Sequence, residues 1–215
     1  MGVANQGVFG AWQKRVGNVV GRIVQGRNIY SIYQPQVSNP QTQAQQTNRS
    51  AFSVMAEFVS QSLAAIRVGF RNLDGYKKGS AYSSALGYNL TKAKAISGTY
   101  PNLEVNYNKV VVSEGGVDLP YDPSGTVADG ELTVSWADNS GQGDALATDK
   151  AALFLFNTTQ KKSVFAVTDS KRSDRTAKIS VPTAWTGDTA VGYLFMVRED
   201  KGVNSMSTYV GSYTL

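Results

Sequence analysis

Apolar positions follow different rhythms along these 215 residues. From Tyr100 onward they recur at every second residue, in short runs broken by turn formers, which is the spacing of half-buried β-strands. The predicted strands are 106–113, 131–137, 151–157, 163–168, 176–181, 190–199 and 207–214, joined by DPSG, DNSGQGD, TTQKK, SKRSD, TGD and EDKG. Seven strands over about 110 residues match a Greek-key sandwich of two antiparallel sheets. Alternation predicts an inward set of Leu132, Val134 and Trp136, Leu153 and Leu155, Ile179 and Val181, and Val191, Tyr193, Phe195 and Val197.

Upstream the period lengthens. Phe52, Met55, Val59, Leu63, Ile66 and Phe70 recur at spacings of three and four, predicting a helix over 49–71 with Asn48 as its N-cap. Tyr82, Leu86, Leu90 and Ala93 repeat that spacing more weakly over 80–95, with Gly98 as the stop and Asn72 to Gly75 as the intervening turn. A helix pair with single apolar stripes needs a surface to cover: a sandwich, a hairpin or a neighbouring subunit.

The first 48 residues are rich in Gly, Gln and Asn. Two β-branched and aromatic runs, 16–24 and 29–33, flank Gln25-Gly26-Arg27-Asn28 and predict a β-hairpin with Gly26 at the tight turn. Val20 and Val24 fall on one face and Val19 and Ile23 on the other, so a ribbon too small to bury either face carries apolar residues on both. A lone hairpin is marginal in water and must pack on something. Pro35 and Pro40 bound the polar segment 34–48, which reads as an extended linker or arm. The expectation is therefore a mainly β chain with a small α part, arranged as a basic hairpin arm and linker (1–48), a helical segment (49–100) and a seven-stranded immunoglobulin-like or fibronectin-like β-sandwich (101–215).

Charge changes this picture in the front half. Up to Tyr100 there are 11 Lys and Arg against only Glu57 and Asp74, a balance of +9, whereas the remainder carries −4. A basic front attracts an anionic partner: nucleic acid, an acidic protein surface or a membrane headgroup. Scattered basic residues also serve solubility alone. With no Cys and no His, the chain lacks disulfides, thiolate nucleophiles, the commonest zinc ligands and the usual neutral-pH general base. The N-terminus shows no apolar run before a cleavage site and no stretch has transmembrane length. Neither export nor a membrane span is expected, and the expected setting is a virion or the cytoplasm.

Three candidate chemistries are weak. Asp138, Asn139, Asp144 and Asp149 set oxygen ligands among glycines as a calcium loop does, but without the spacing of an EF-hand; a flexible connection after a strand is the favoured reading. No Gly-x-Ser-x-Gly elbow is present, and Glu199-Asp200 falls in an expected surface turn. The glycines near 16–26 lack the Gly-Lys-Ser/Thr ending of a phosphate loop. No catalytic residue, cofactor or metal is expected, and the chain reads as a non-enzyme.

The remaining candidate is the ribbon, where Lys14, Arg15, Arg22 and Arg27 interleave with Trp12, Tyr30 and Tyr33. That composition suits phosphate contact with base stacking. It equally suits a protein interface, for which Arg, Trp and Tyr are favoured anchors, and strand addition would satisfy the hairpin's edges. The protein interface is the favoured reading, through self-association or other assembly proteins, with a nucleic-acid-binding accessory role and a surface adhesion or carbohydrate-binding module as alternatives.

Two resemblances add to this. Leu132-Thr-Val-Ser-Trp136, and Tyr193-Leu-Phe-Met-Val197 before a last strand, resemble the second and sixth strands of fibronectin type III domains. Trp185 and the turn Thr186-Gly187-Asp188 depart from that family's Leu and Pro-Gly turn, and no proline-rich first strand is seen. The whole chain is also similar to an uncharacterised family of Bacteroidota and their phages. That likeness lies in Lys14-Arg15-Val16-Gly17-Asn18-Val19-Val20-Gly21, Asn39-Pro40-Gln41-Thr42 with Gln45, Gln46 and Arg49, Gly98-Thr99-Tyr100-Pro101, and Trp136 to Gly141. It implies a virion or prophage setting by association and transfers no functional residue.

Overall fold

The structure is a computed structural model that describes residues 3–4, 12–24, 26–36, 39–71 and 80–215; the turn expected at Asn72 to Gly75 lies outside them. The chain falls into two compact units, Met1–Thr42 and Gln43–Leu215. It is mainly β, built from antiparallel sheets with three short helices among the described residues.

The first unit is a four-stranded antiparallel sheet in the order β1 (Val3–Ala4), β2 (Trp12–Val16), β3 (Val19–Val24), β4 (Arg27–Ile32). The predicted hairpin is β3 and β4, closed by Gly26 at φ 75, and β2 joins it through a turn with Gly17 at φ 58.

The second unit opens with α1 (Gln43–Gln61), which begins earlier than expected. Asn48 is not its cap but lies within it, because residues 43–48 are Gln, Ala, Thr and Asn in a helix's first turns and only look like linker. Nor does the helix run to residue 71. It breaks at Ser62, and α2 (Leu63–Gly69) departs at 87°. Ser62 ends one helix by donating its amide to Phe58 and Val59 and starts the next by accepting from Ile66. Phe52, assigned to the inward stripe, is 53% exposed, while Met55, Val59 and Ile66 are buried. Then α3 (Ala81–Thr91) starts at Ser80, whose Oγ accepts from the Ser83 amide. Gly98 does not stop it: Gly98 sits within β5 (Ile96–Thr99), which pairs with β6 (Asn102–Val105). Among the described residues no single helix is long and apolar enough to cross a membrane.

The predicted strand 106–113 does not form. A 3-10 turn at Tyr107–Lys109 leads into an irregular segment with Val110 and Val112 buried. Its backbone is satisfied by side chains instead of a neighbouring strand. The buried Asn89 amide accepts from the Val111 amide and donates to the Val111 carbonyl, both at 2.8 Å, and Ser207 Oγ accepts from Val112 N at 2.9 Å. One side-chain amide here replaces a peptide group of a strand partner.

The missing strand is β7 (Tyr121–Ala128), which contains the Asp-Pro-Ser-Gly expected to be a turn. It survives Pro123 because it is an edge strand with an irregular register between Tyr121 and Ser124, where the lost amide is no ladder bond. Gly125 is required by packing, since a Cβ there would lie 2.2 Å from the Tyr213 hydroxyl.

The other six strands fall close to where they were expected: β8 (Glu131–Ala137), β9 (Lys150–Asn157), β10 (Lys162–Lys171), β11 (Thr176–Ser180), β12 (Thr189–Arg198) and, after the short β13 (Val203–Asn204), β14 (Thr208–Thr214). Strands β11, β8 and β7 make one sheet; β10, β9 and β12 make the other, with β13 and β14 both paired to β12.

Two cores lie on opposite faces of the larger sheet. On one face Leu153, Leu155, Leu194 and Met196 meet Leu132, Val134, Trp136 and Ile179 of the smaller sheet. On the other, Phe154, Phe156, Tyr193 and Phe195 meet Met55, Phe58, Ile66 and Leu86 of the helices. Val191, Tyr193, Phe195 and Val197 were expected between the sheets, yet they face the helical layer. The helices thus cover the sheet, and β9 and β12 are buried on both faces, as their unbroken apolar runs require.

Candidate interaction surface

Pairing register sorts the ribbon's side chains. Val19 pairs with Ile32, Gly21 with Tyr30 and Ile23 with Asn28, so these share one face; Val20 with Ser31, Arg22 with Ile29 and Val24 with Arg27 share the other. The seven candidate residues therefore divide. Trp12 and Tyr30 meet with ring centroids 4.4 Å apart on the Gly21 side. Gly21 is required there, because a Cβ would fall 2.2 Å from the Trp12 carbonyl oxygen. Lys14, paired with Gly21 at φ 70, marks the point where β2 departs from regular strand geometry.

The opposite face is basic. Arg22 and Arg27 lie on it by register, and the Arg15 guanidinium sits 3.6 Å above the Tyr33 ring while its Nε donates to the Gly17 carbonyl at 2.8 Å. Arg15 is thereby held, whereas Arg22 and Arg27 have no ion pair among the described residues. Every residue of β4 is exposed, with Ile32 at 78%, and Val16, Ile23, Val24 and Ile29 are exposed as well. Strand β4 is also an edge of the sheet, and among the described residues no strand pairs with its outer side.

The acidic loop is not a flexible connection. Asp149 is fully buried between two guanidiniums: Arg198 Nε donates to its Oδ1 at 2.8 Å and Arg172 to its Oδ2 at 3.1 Å. Arg198 also grips both Asp144 oxygens at 3.0 and 3.1 Å, and Arg172 donates to Asn139 Oδ1 at 2.7 Å and the Asp118 carbonyl at 2.8 Å. Burial alone would raise the Asp149 carboxyl, but hydrogen bonds from Arg198, the Leu146 amide and Arg172 hold it below its ordinary value. Of the oxygens that looked like cation ligands, those of Asn139, Asp144 and Asp149 accept from arginine side chains, while Asp138 accepts from the Ser140 amide and hydroxyl. The readable signal was Arg198 itself, a charge ending the apolar run of β12.

A concavity of about 420 Å³, which sequence reasoning missed, lies between α1, β6 and the β9–β10 turn. Phe58, Tyr107 and Phe156 form its aromatic wall, with Phe58 and Phe156 centroids 4.8 Å apart. Glu57 and Glu104 line it, and Lys161 donates to both Glu57 oxygens at 2.8 and 2.9 Å. Burial, then the Glu57 and Glu104 charges, raise the Tyr107 hydroxyl above its ordinary value. Helical periodicity pointed to Met55 and Val59 but not to which residues of α1 border a second element.

These features define a mainly β protein of antiparallel sheets with a helical layer and a separate ribbon carrying exposed arginines and aliphatic residues. The chain belongs to the Family of unknown function (DUF6266), whose model matches residues 10–211. A search of the curated proteins returns no match. Among solved structures, the crystal structure of chicken CNTN1 FN1-FN3 domains is similar to 46% of this chain at 11% identity and a TM-score of 0.26. The matched part spans 30% of that chain's length.

Proposed function

We propose that this protein is a non-enzymatic assembly protein whose N-terminal ribbon contacts neighbouring subunits. The observation that carries the reading is the ribbon's unburied apolar surface: Ile23 and Ile32 on one face, Val24 and Ile29 on the other, beside the β4 edge. Aliphatic residues on both faces of a ribbon are a poor match to solvent and a good one to a partner chain. The second unit, by contrast, buries most of its apolar residues in two cores, which suits a scaffold. We read its two sheets as a fibronectin-like sandwich of seven principal strands, β7, β8 and β11 against β9, β10, β12 and β14. A virion is one assembly in which such a subunit serves.

Size-exclusion chromatography with light scattering over a concentration series tests this. The expected result is a mass that rises with concentration for the full chain and a curve shifted at least tenfold for Ile29→Ser/Ile32→Ser. A monomer at every concentration would overturn the reading.

A second reading rests on the basic face, where Arg15 over Tyr33 stands with Arg22 and Arg27, which have no ion pair among the described residues, a phosphate-contact and stacking set. Filter binding to single-stranded DNA should then weaken steeply between about 50 and 200 mM salt. Salt-independent or absent binding removes this alternative.

A further inference from the structure

We infer that the aromatic and acidic cleft between α1 and β6 is the receptor for the arginine-bearing hairpin tip of a second copy of this chain. This rests on the ribbon-mediated reading above and names the surface that the ribbon meets.

The cleft offers what a guanidinium with an aliphatic neighbour requires. Phe58, Tyr107 and Phe156 form a wall in which each ring touches the other two, at 4.8, 5.9 and 6.1 Å between centroids, and Leu103 and Val105 extend it. Tyr107 is the part-exposed ring of the three, with Phe58 and Phe156 buried behind it, and a guanidinium stacks on such a ring better than an ammonium does. Glu57 and Glu104 supply negative charge at the same place, and both act on the Tyr107 hydroxyl. Lys161 answers only Glu57, so Glu104 is left without an ion pair among the described residues and the cleft carries a net negative charge.

The ribbon offers the complement. Residues 1–42 carry Lys14, Arg15, Arg22 and Arg27 and no Asp or Glu, so the ribbon is matched by charge to an acidic recess on this chain. Arg27 opens β4 immediately after the hairpin turn at Gly26, and its cross-strand partner is Val24. Arg22 and Ile29 are the next pair on that face. This face of the hairpin thus sets Arg22 across from Ile29 and Arg27 across from Val24, while the cleft sets two carboxylates beside a ring wall. Arg15 is unsuited to the role because Tyr33 and the Gly17 carbonyl already engage it. A ribbon on one surface entering a cleft on another makes a head-to-tail contact, which propagates or closes into a ring.

Sedimentation velocity over a concentration series tests this with Arg27→Glu, Glu104→Lys and the double variant Arg27→Glu/Glu104→Lys. Arg27 and Glu104 are both exposed, and urea midpoints equal to wild type establish that the variants fold. Each single variant is expected to weaken self-association at least tenfold. An equimolar mixture of the two singles should associate where each alone does not, since the intact tip of one meets the intact cleft of the other and the two reversed charges meet each other. The double variant should associate again, and millimolar agmatine, a free guanidinium, should dissociate the wild type. If Arg27→Glu weakens association while Glu104→Lys does not, the cleft is not the receptor and the inference falls, though the ribbon reading stands. Loss with Glu104→Lys alone overturns it too, as does failure of the mixture to pair. A wild type that is monomeric at every concentration removes both readings.

Discussion

Strands β9 and β3 carry the same kind of sequence and meet opposite fates. In β9, Ala152, Phe154 and Phe156 point one way and Ala151, Leu153 and Leu155 the other, and all are buried. In β3, Val19 and Ile23 point one way and Val20 and Val24 the other, and Ile23 and Val24 stay exposed. Each is an interior strand of its sheet, paired on both sides, so position in the ladder does not separate them. What separates them is supply. The second unit provides a three-stranded sheet for one face of β9 and three helices for the other, whereas the first unit is a single layer. Apolar residues on both faces of a strand therefore state a demand for two covering layers, which the second unit meets and the first, among its described residues, does not.

The sharpest test of that contrast is Phe154→Ala, which removes a ring packed against Phe58, Phe156 and Tyr193. It should cost about 3–5 kcal/mol in urea unfolding, while Ile23→Ala should stay within about 0.5 kcal/mol at low protein concentration. Equal costs would erase the distinction between the two strands.

Of similar size is Asp149→Asn, which leaves two guanidiniums buried without their carboxylate and should lose about 3–5 kcal/mol. The sign with pH follows from the depressed carboxyl. Its contribution is complete above the unfolded value of about 3.9 and is lost as pH falls from there through the lower folded value. Wild-type stability should therefore decline steeply below about pH 4, and the Asn variant should show a shallower decline; parallel profiles would contradict the clamp.

Smaller again is Asn89→Ala. It strips the buried Val111 amide and carbonyl of their partners and should cost about 1–3 kcal/mol, with hydrogen exchange at Val111 accelerating before that of β9. The smallest effect on folding, within about 0.5 kcal/mol, is expected for Ile32→Ser, whose consequence should appear in association alone.

How much of this was legible depends on where hydrogen bonds go. Six strands of the sandwich region could be read because their amides pair with neighbouring strands and their side chains obey period two. The β-branched run Val110-Val111-Val112 obeys the same pattern and is no strand, since its partners are the side chains of Asn89 and Ser207. Tyr121–Ala128 breaks the pattern with Pro123 and Gly125 and is a strand, because it lies on an edge and against Tyr213. The ribbon's seven candidate residues were visible as composition, but their division into an aromatic face and a basic face needed the register. The cleft was hidden for a different reason: Glu57, Glu104, Tyr107 and Lys161 are far apart in sequence and ordinary in isolation.

The arginine clamp on the acidic loop has one more consequence. A metal ion in such a loop would be held by an equilibrium with its surroundings, and the loop would loosen wherever that ion is scarce. A guanidinium carried on β12 is tethered by the backbone, so its local concentration is set by geometry and cannot be diluted away. Order in the 138–149 loop is therefore tied to the continuity of the chain rather than to the supply of a free ion.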